Sequence, residues 1–158
     1  MASDVFAKIG DIKGESLDAK HKNEVEVLSW SWGLAQTGSM GYGSGGGTGK
    51  ASFNDFHFTH YVDKASPVLM KACATGEHIK DATITVRKAG KGQQEFLIVK
   101  MNDIIITSVN PSGSGEEIME SVAMQCSKVD LEYKPQKPDG SVDAGLHFKY
   151  DIKANKEG

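Results

Sequence analysis

The stretch Glu24–Gly49 reads EVEVLSWSWGLAQTGSMGYGSGGGTG. Its first part, within Asn23–Gln36, alternates like a β-strand, and Trp30 and Trp32, two residues apart, share one face. Tryptophan is a large, rigid group that stabilises cores and interfaces. The second part is nearly free of side chains, and glycine loses more conformational freedom on ordering than any other residue. The chain therefore joins a rigid aromatic strand to a segment that either stays mobile or is ordered by a partner. The alternation also breaks phase. Val25 and Val27 fall on one face, and Leu28, Trp30, Trp32 and Leu34 on the other. A one-residue slip moves an apolar set to the opposite face, and a bulge at a barrel corner produces such a slip. Burial of both faces, one in the core and one between subunits, gives the same pattern.

β-Patterning continues on both sides of this stretch. Val5–Ile12 reads as a short strand ended by Gly14, and Ala51–Tyr61 as the strand after the glycines. Ala82–Lys88 alternates cleanly, and Gly90-Lys91-Gly92 turns it into Glu95–Met101 as a hairpin. Phe96–Met101 is apolar on both faces. Asp103–Val109 is predicted to end at Asn110-Pro111 and the Ser112–Gly115 run. Ile118–Lys134 holds one long strand, or two joined by a bend: Val122, Met124 and Cys126 are in phase, and Val129, Leu131 and Tyr133 are out of it. Leu146–Lys153 is the last strand. One short helix is predicted over about Pro67–Thr75. Ser66 suits its N-cap, Pro67 its first position and Gly76 the position past its end. Val68, Leu69, Ala72 and Cys73 form its apolar stripe. The fold class is mainly β, a small two-sheet antiparallel β-barrel flanked by one short α-helix. The 158 residues suit a single domain, 1–158.

The formal net charge of −3, with no Lys/Arg cluster, lacks the footprint of a nucleic-acid binder. The longest apolar run, Phe96–Met101, is interrupted by Lys100 and is far too short to span a bilayer. The N-terminal MASDVFAKIGDIKG carries Asp4 and Lys8 within its apolar pattern, so it has no signal-peptide core. Export is then expected to bypass the general secretory route. Cys73 and Cys126 read as buried reduced thiols.

No constellation points to catalysis. Gly41-Tyr42-Gly43-Ser44-Gly45-Gly46 matches G-x-G-x-x-G, but it leads into a strand rather than the helix a dinucleotide site requires. Gly49-Lys50 is followed by Ala51, not the hydroxyl of a P-loop. His57 and His60 lie an odd number of residues apart in a strand, on opposite faces, and cannot chelate one metal. His21, His78 and His147 read as solvated loop histidines. Gly43-Ser44-Gly45 and Gly113-Ser114-Gly115 sit in loops, the wrong place for a held nucleophile. Glu116 and Glu117 read as solubilising charges at a strand end. The expectation is no catalytic residue, no cofactor and no metal. Trp30 and Trp32 read as core or interface aromatics.

Ordered motifs along the chain resemble a known family. Phe6-Ala7-Lys8-Ile9, Ile12–Ser16, His21 and Glu24–Gly33 open the series. Phe58-Thr59, Asp63–Pro67, Arg87–Gly90, Thr107-Ser108-Val109 and Tyr133–Gln136 continue it, and Tyr150-Asp151-Ile152 and Asn155 end it. Together they resemble the haemolysin-coregulated proteins, inner-tube subunits of the bacterial type VI secretion system. The resemblance implies a small two-sheet barrel with one flanking helix, agreeing with the pattern reading. It also implies a structural protein, not an enzyme, that forms homohexameric rings with a wide channel. Such rings stack into a tube, beneath a spike and inside a contractile sheath, and carry or protect small effector proteins. The protein would reside in the bacterial cytoplasm before firing and then outside or in a target cell. The chain resembles the tube-only form, without a fused toxin domain.

On that reading Ser29 and Ser31, which point away from the tryptophans, are candidate lumen-facing residues. Gly41, Tyr42, Gly43, Gly45, Gly46 and Gly47 form a candidate assembly loop that packs on a neighbouring copy. Phe96–Met101 and Asp103–Val109 are candidates for one side of the ring interface. The alternative from another class is a monomeric ligand-binding or enzymatic β-barrel with the glycine loop as a lid. A pilus- or phage-tail-like subunit shares the self-assembly logic and differs in partners.

Overall fold

The computed structural model describes residues 3–38, 49–89 and 92–158. In chain order these hold β1 (Ser3–Ile9), β2 (Val25–Glu26), β3 (Ser29–Ser31), β4 (Leu34–Ala35), β5 (Ser52–Phe53) and β6 (Phe56–Tyr61). The helix α1 (Ser66–Thr75) follows, then β7 (His78–Lys88), β8 (Glu95–Ser114), β9 (Glu117–Tyr133), β10 (Leu146–Asp151) and β11 (Lys156–Glu157). The mainly-β class with one short helix is as expected.

The long β8–β9 hairpin organises the sheet. β8 runs along the whole of one edge of β9. The other edge of β9 is divided: its second half pairs with β10 and its first half with β6. Beyond β8 lie β7, β1 and β2, and β3 adds to β6. All pairings are antiparallel. The hairpin therefore belongs to two sheet halves. Its inward face switches between them, from Val99 and Met101 to Ile104 and Ile106 in β8, and from Val129 to Met124 and Val122 in β9. Asp103 sits at the switch with φ +55°. It is pinned there by His78 Nδ1 at 3.1 Å and by the Ser127 hydroxyl, which donates to Asp103 Oδ2 at 3.2 Å. The phase break along Ile118–Lys134 thus marks a corner. β8 is one strand where two were expected, and it runs on to Ser114. Pro111 is tolerated because pairing with β7 ends at Ile105, leaving an edge with no donor required.

A second hand-over sits in the opening stretch. Asn23–Gln36, expected as one strand, is three short ones. β2 pairs with β1, whereas β3 pairs with β6. Between them the Val27 amide donates to Val5 O at 2.9 Å and the Leu28 amide to Thr59 O at 2.8 Å. The chain passes from one sheet edge to the other at the point where its apolar phase slips. β4 pairs with β5 as a separate small ribbon, so Ala51–Tyr61 is likewise two strands. β1 ends at Ile9, earlier than expected, because Gly10 turns the chain at φ +50°.

The enclosed core is built on Phe56, Phe58, Ile84, Met101, Ile104, Ile106 and Met124, with Leu69 and Ala72 of α1 covering one side. Ala65, not Ser66, is the N-cap of α1. Ser66 instead accepts the Asp63 amide through its hydroxyl at 3.1 Å, bracing the turn from the inside. Gly76 closes the helix in the left-handed region, as expected. Val68 is exposed rather than part of the apolar stripe, because the core contact is made by Leu69 and Ala72 alone, with Cys73 half-buried.

Residues 10–24 fold over the outer face of β1. Phe6 points into this layer, stacked on His21 at 4.5 Å and facing the Arg87 guanidinium at 4.8 Å. Arg87 is buried and binds Asp18 through both terminal nitrogens and Asp4 at 3.4 Å. The Arg87 hydrogen bond is the main force holding the Asp18 carboxyl down to about 2. His21 is therefore no solvated loop residue. It is buried, with Nδ1 3.0 Å from Glu24 and Nε2 2.8 Å from Glu95.

Candidate assembly and lumen surfaces

Alternation in β3 sends Trp30 inward and Ser29 and Ser31 outward. Register carries each serine into a row across four strands. Ser29 faces Thr59 of β6, which faces Ser121 of β9, which faces Asn110 of β8. Ser31 likewise leads through His57 and Ala123 to Ser108. Both serines are exposed, and the hydroxyls of Ser29 and Thr59 lie 2.6 Å apart. The result is a mostly polar surface over a core of Phe56 and Phe58, small-side-chained along the Ser29 row, whereas in the Ser31 row His57 is large and exposed and Ala123 is buried. Such a wall has little apolar area to hold a partner tightly.

The tryptophans are packing groups. Trp30 stacks on Phe56 with centroids 5.8 Å apart, and Trp32 tilts against Phe53 at 6.1 Å. Both are half-buried against the core. The loop residues Gly41, Tyr42, Gly43, Gly45, Gly46 and Gly47 lie outside the described residues. Of the expected ring-interface strands, Val99, Met101, Ile104 and Ile106 are core residues, while Phe96, Leu97 and Ile98 stay half-buried at the surface.

His57 and His60 fall on opposite faces, as their spacing requires. His60 is buried with Phe56 and Phe58 and carries a charged environment into the core. Its Nε2 lies 2.8 Å from Glu120, itself buried, and its Nδ1 lies 3.8 Å from Asp63. Burial is the largest influence on this ring and favours the neutral form, but Asp63 and Glu120 together outweigh it and raise the pKa above 6.5. His60 Nδ1 and Glu120 Oε2 have no hydrogen-bond partner among the described residues. The pair was legible in part, since alternation alone places His60 inside with Phe58. His147 is bracketed by Asp130 at 2.8 Å and Glu132 at 3.3 Å, half-exposed on β10.

Among the described residues no three His, Cys, Asp or Glu side chains are placed to hold a metal. Among the described residues no helix is long and apolar enough to cross a membrane. Cys73 and Cys126 are unpaired and half-buried rather than fully buried, and burial pushes the Cys126 thiol up to about 11.

Residues 6–133 match the family model described as type VI secretion system effector, Hcp. The chain is 46% identical to Protein hcp1 of Pseudomonas aeruginosa over 98% of both chains. Its fold matches Hcp1 from Salmonella typhimurium with a TM-score of 0.82 and 43% identity over the full length of both. It also matches a type VI secretion system effector from Yersinia pestis, TM-score 0.77 and 40% identity, over 94% of this chain and 99% of that one. With the family model and full-length relatives in agreement, this chain belongs to the Hcp family of the type VI secretion system.

Proposed function

We propose that this chain is a structural tube subunit that forms hexameric rings, stacks them into the secreted inner tube, and carries small effector proteins in the lumen. The observation that supports the lumen is the row of small polar side chains Ser29, Thr59, Ser121 and Asn110 across four strands. A channel wall must be polar, and it must be low enough to leave room for a passenger. Family membership supports self-assembly, a spike at the tube tip and a surrounding sheath as partners, and a cytoplasmic pool that leaves the cell on firing without a cleaved signal peptide. Gly41–Gly47 serves as an assembly arm, its small side-chain content letting it lie flat on a neighbouring copy. A ring needs two different complementary patches on each subunit, and a stable contact buries roughly 800 Å² per partner.

Light scattering at high concentration tests the ring: a six-fold mass is expected, and a clean monomer would overturn it. Ser31→Glu tests the wall. Rings should persist while passenger retention falls, and unchanged retention removes Ser31 from the lumen. Deleting Gly43–Gly47 should impair assembly, and normal rings and secretion from that deletion would sink the arm.

A further inference from the structure

The polar rows give way to apolar side chains at one end. Tyr61 and Met119 are cross-strand partners there, and with Leu28, Val62 and Ile118 they make an exposed apolar corner. Tyr61 and Val62 form a ridge shared by two clefts of about 380 and 220 Å³. Glu116 and Glu117 line the first cleft, and Glu15, Glu26 and Asp63 line the second, with no lysine or arginine in either lining. Three of these carboxylates are held by neutral donors. Glu15 accepts the Lys64 amide at 2.7 Å, Asp63 the Ala65 amide at 2.9 Å and Glu117 the Tyr61 hydroxyl at 3.5 Å. Asp63 also lies 3.8 Å from the buried His60 Nδ1. Among the described residues none of the five forms a salt bridge with a lysine or arginine, and no three are grouped to hold a metal ion.

We propose that this corner docks a cationic, apolar segment of a different polypeptide, with an arginine or lysine in each cleft and apolar side chains across the Tyr61–Val62 ridge. Exposed apolar patches with polar rims mark interaction sites. The rim here carries one sign of charge on both sides of the ridge, so it selects the sign of its partner. Nucleic acid and anionic lipid are repelled, and a basic segment is drawn in. The carboxylates are spread over two clefts, which suits several side chains of one segment better than a single ion. Arginine meets a carboxylate through two parallel hydrogen bonds and stacks on an aromatic face, and Tyr61 stands beside both sets of acids. A second copy supplies no such segment, because the chain has a net charge of −3 and no Lys/Arg cluster. The corner is open in the single chain, so the docking does not require the ring.

Fluorescence anisotropy on the full chain at low salt tests the docking. The probe is a short labelled peptide of alternating arginine and leucine, and the control is its glutamate–leucine counterpart. The arginine probe should bind, the glutamate control should not, and added salt should weaken the binding. Glu116→Gln with Glu117→Gln should weaken it roughly tenfold, and Tyr61→Ala roughly fivefold or more. Asp139→Asn with Asp143→Asn removes the same charge elsewhere and should leave it unchanged. Thermal melts check that each variant is folded. The proposal is overturned if the corner variants bind like the unaltered chain, if the distant pair weakens binding as much as they do, or if the two peptides bind alike. It is also overturned if dissociated subunits bind the probe and assembled ones do not, because a second copy then covers the corner.

Discussion

His60 is the residue at which charge and burial conflict most directly. Truncating one partner of a buried pair strands the other, so His60→Leu should destabilise by about 3–5 kcal/mol, and adding Glu120→Leu should recover part of that loss. Urea melts of the two variants measure it. The pH dependence follows from the raised pKa of the folded ring. Stability from this group is fully present below about 6.5, where the unfolded ring is also charged, and is lost as pH rises through the higher folded value. Melting temperature should fall on going from pH 6 to pH 9 (approximate limits set by the ordinary histidine range), and the His60→Leu/Glu120→Leu variant should flatten that slope. Gly14 is a different case, decided by space alone. A Cβ there would lie 2.6 Å from the Glu24 carbonyl oxygen, which belongs to backbone and cannot rotate aside. Gly14→Ala should therefore loosen residues 10–24 and cost about 1–3 kcal/mol, read by urea melts and by faster amide exchange at Ser16 and Asn23.

At the scale of elements, the corner in β8 depends on Asp103 holding a left-handed backbone. Asp103→Gly keeps that conformation available and removes the side-chain pins to His78 and Ser127. Asp103→Val removes the pins and also strains the backbone. The valine variant should therefore melt lower than the glycine variant, in circular-dichroism scans, and the reverse order would show that the corner does not depend on the left-handed backbone at this position. Much of the architecture was legible in alternation. The slips after Val27 and after Cys126 marked two of the places where the chain changes sheet. Strand ends were less legible. Nothing local in Asp103–Val109 announces that β8 continues to Ser114, because its support comes from register with Glu117–Val122 across the hairpin. His21 was misread for the same reason: Phe6 and Glu95, distant in sequence, bury it. The serine wall was legible only as a direction. That Ser29 and Ser31 extend into rows through Thr59, Ser121 and Ser108 depends on pairings that the spacing alone does not specify.

Over the whole molecule, the two faces of the inner sheet half divide the work. One packs aromatics into the core, and the other presents the mostly polar surface that the proposed function assigns to a channel. Exposed apolar side chains lie at strand ends, at Leu17 of the 10–24 segment and at Val68 and Met70 of α1. The β8–β9 hairpin has a further consequence, in the order of folding. Its two strands are joined by only Gly115 and Glu116, with Gly115 at φ +69°, so they can find each other at little loop-closure cost. The seam at Val27 and Leu28, by contrast, joins residues far apart in the chain, to Val5 on one side and Thr59 on the other. The hairpin should be formed in the transition state and the seam should close after it. Val122→Ala should then slow refolding, whereas Val27→Ala should chiefly speed unfolding, a contrast that stopped-flow kinetics on the dilute chain can read. A subunit that folds in this order completes the seam between β1 and β6 last, so its serine wall is finished only when the rest of the barrel already stands.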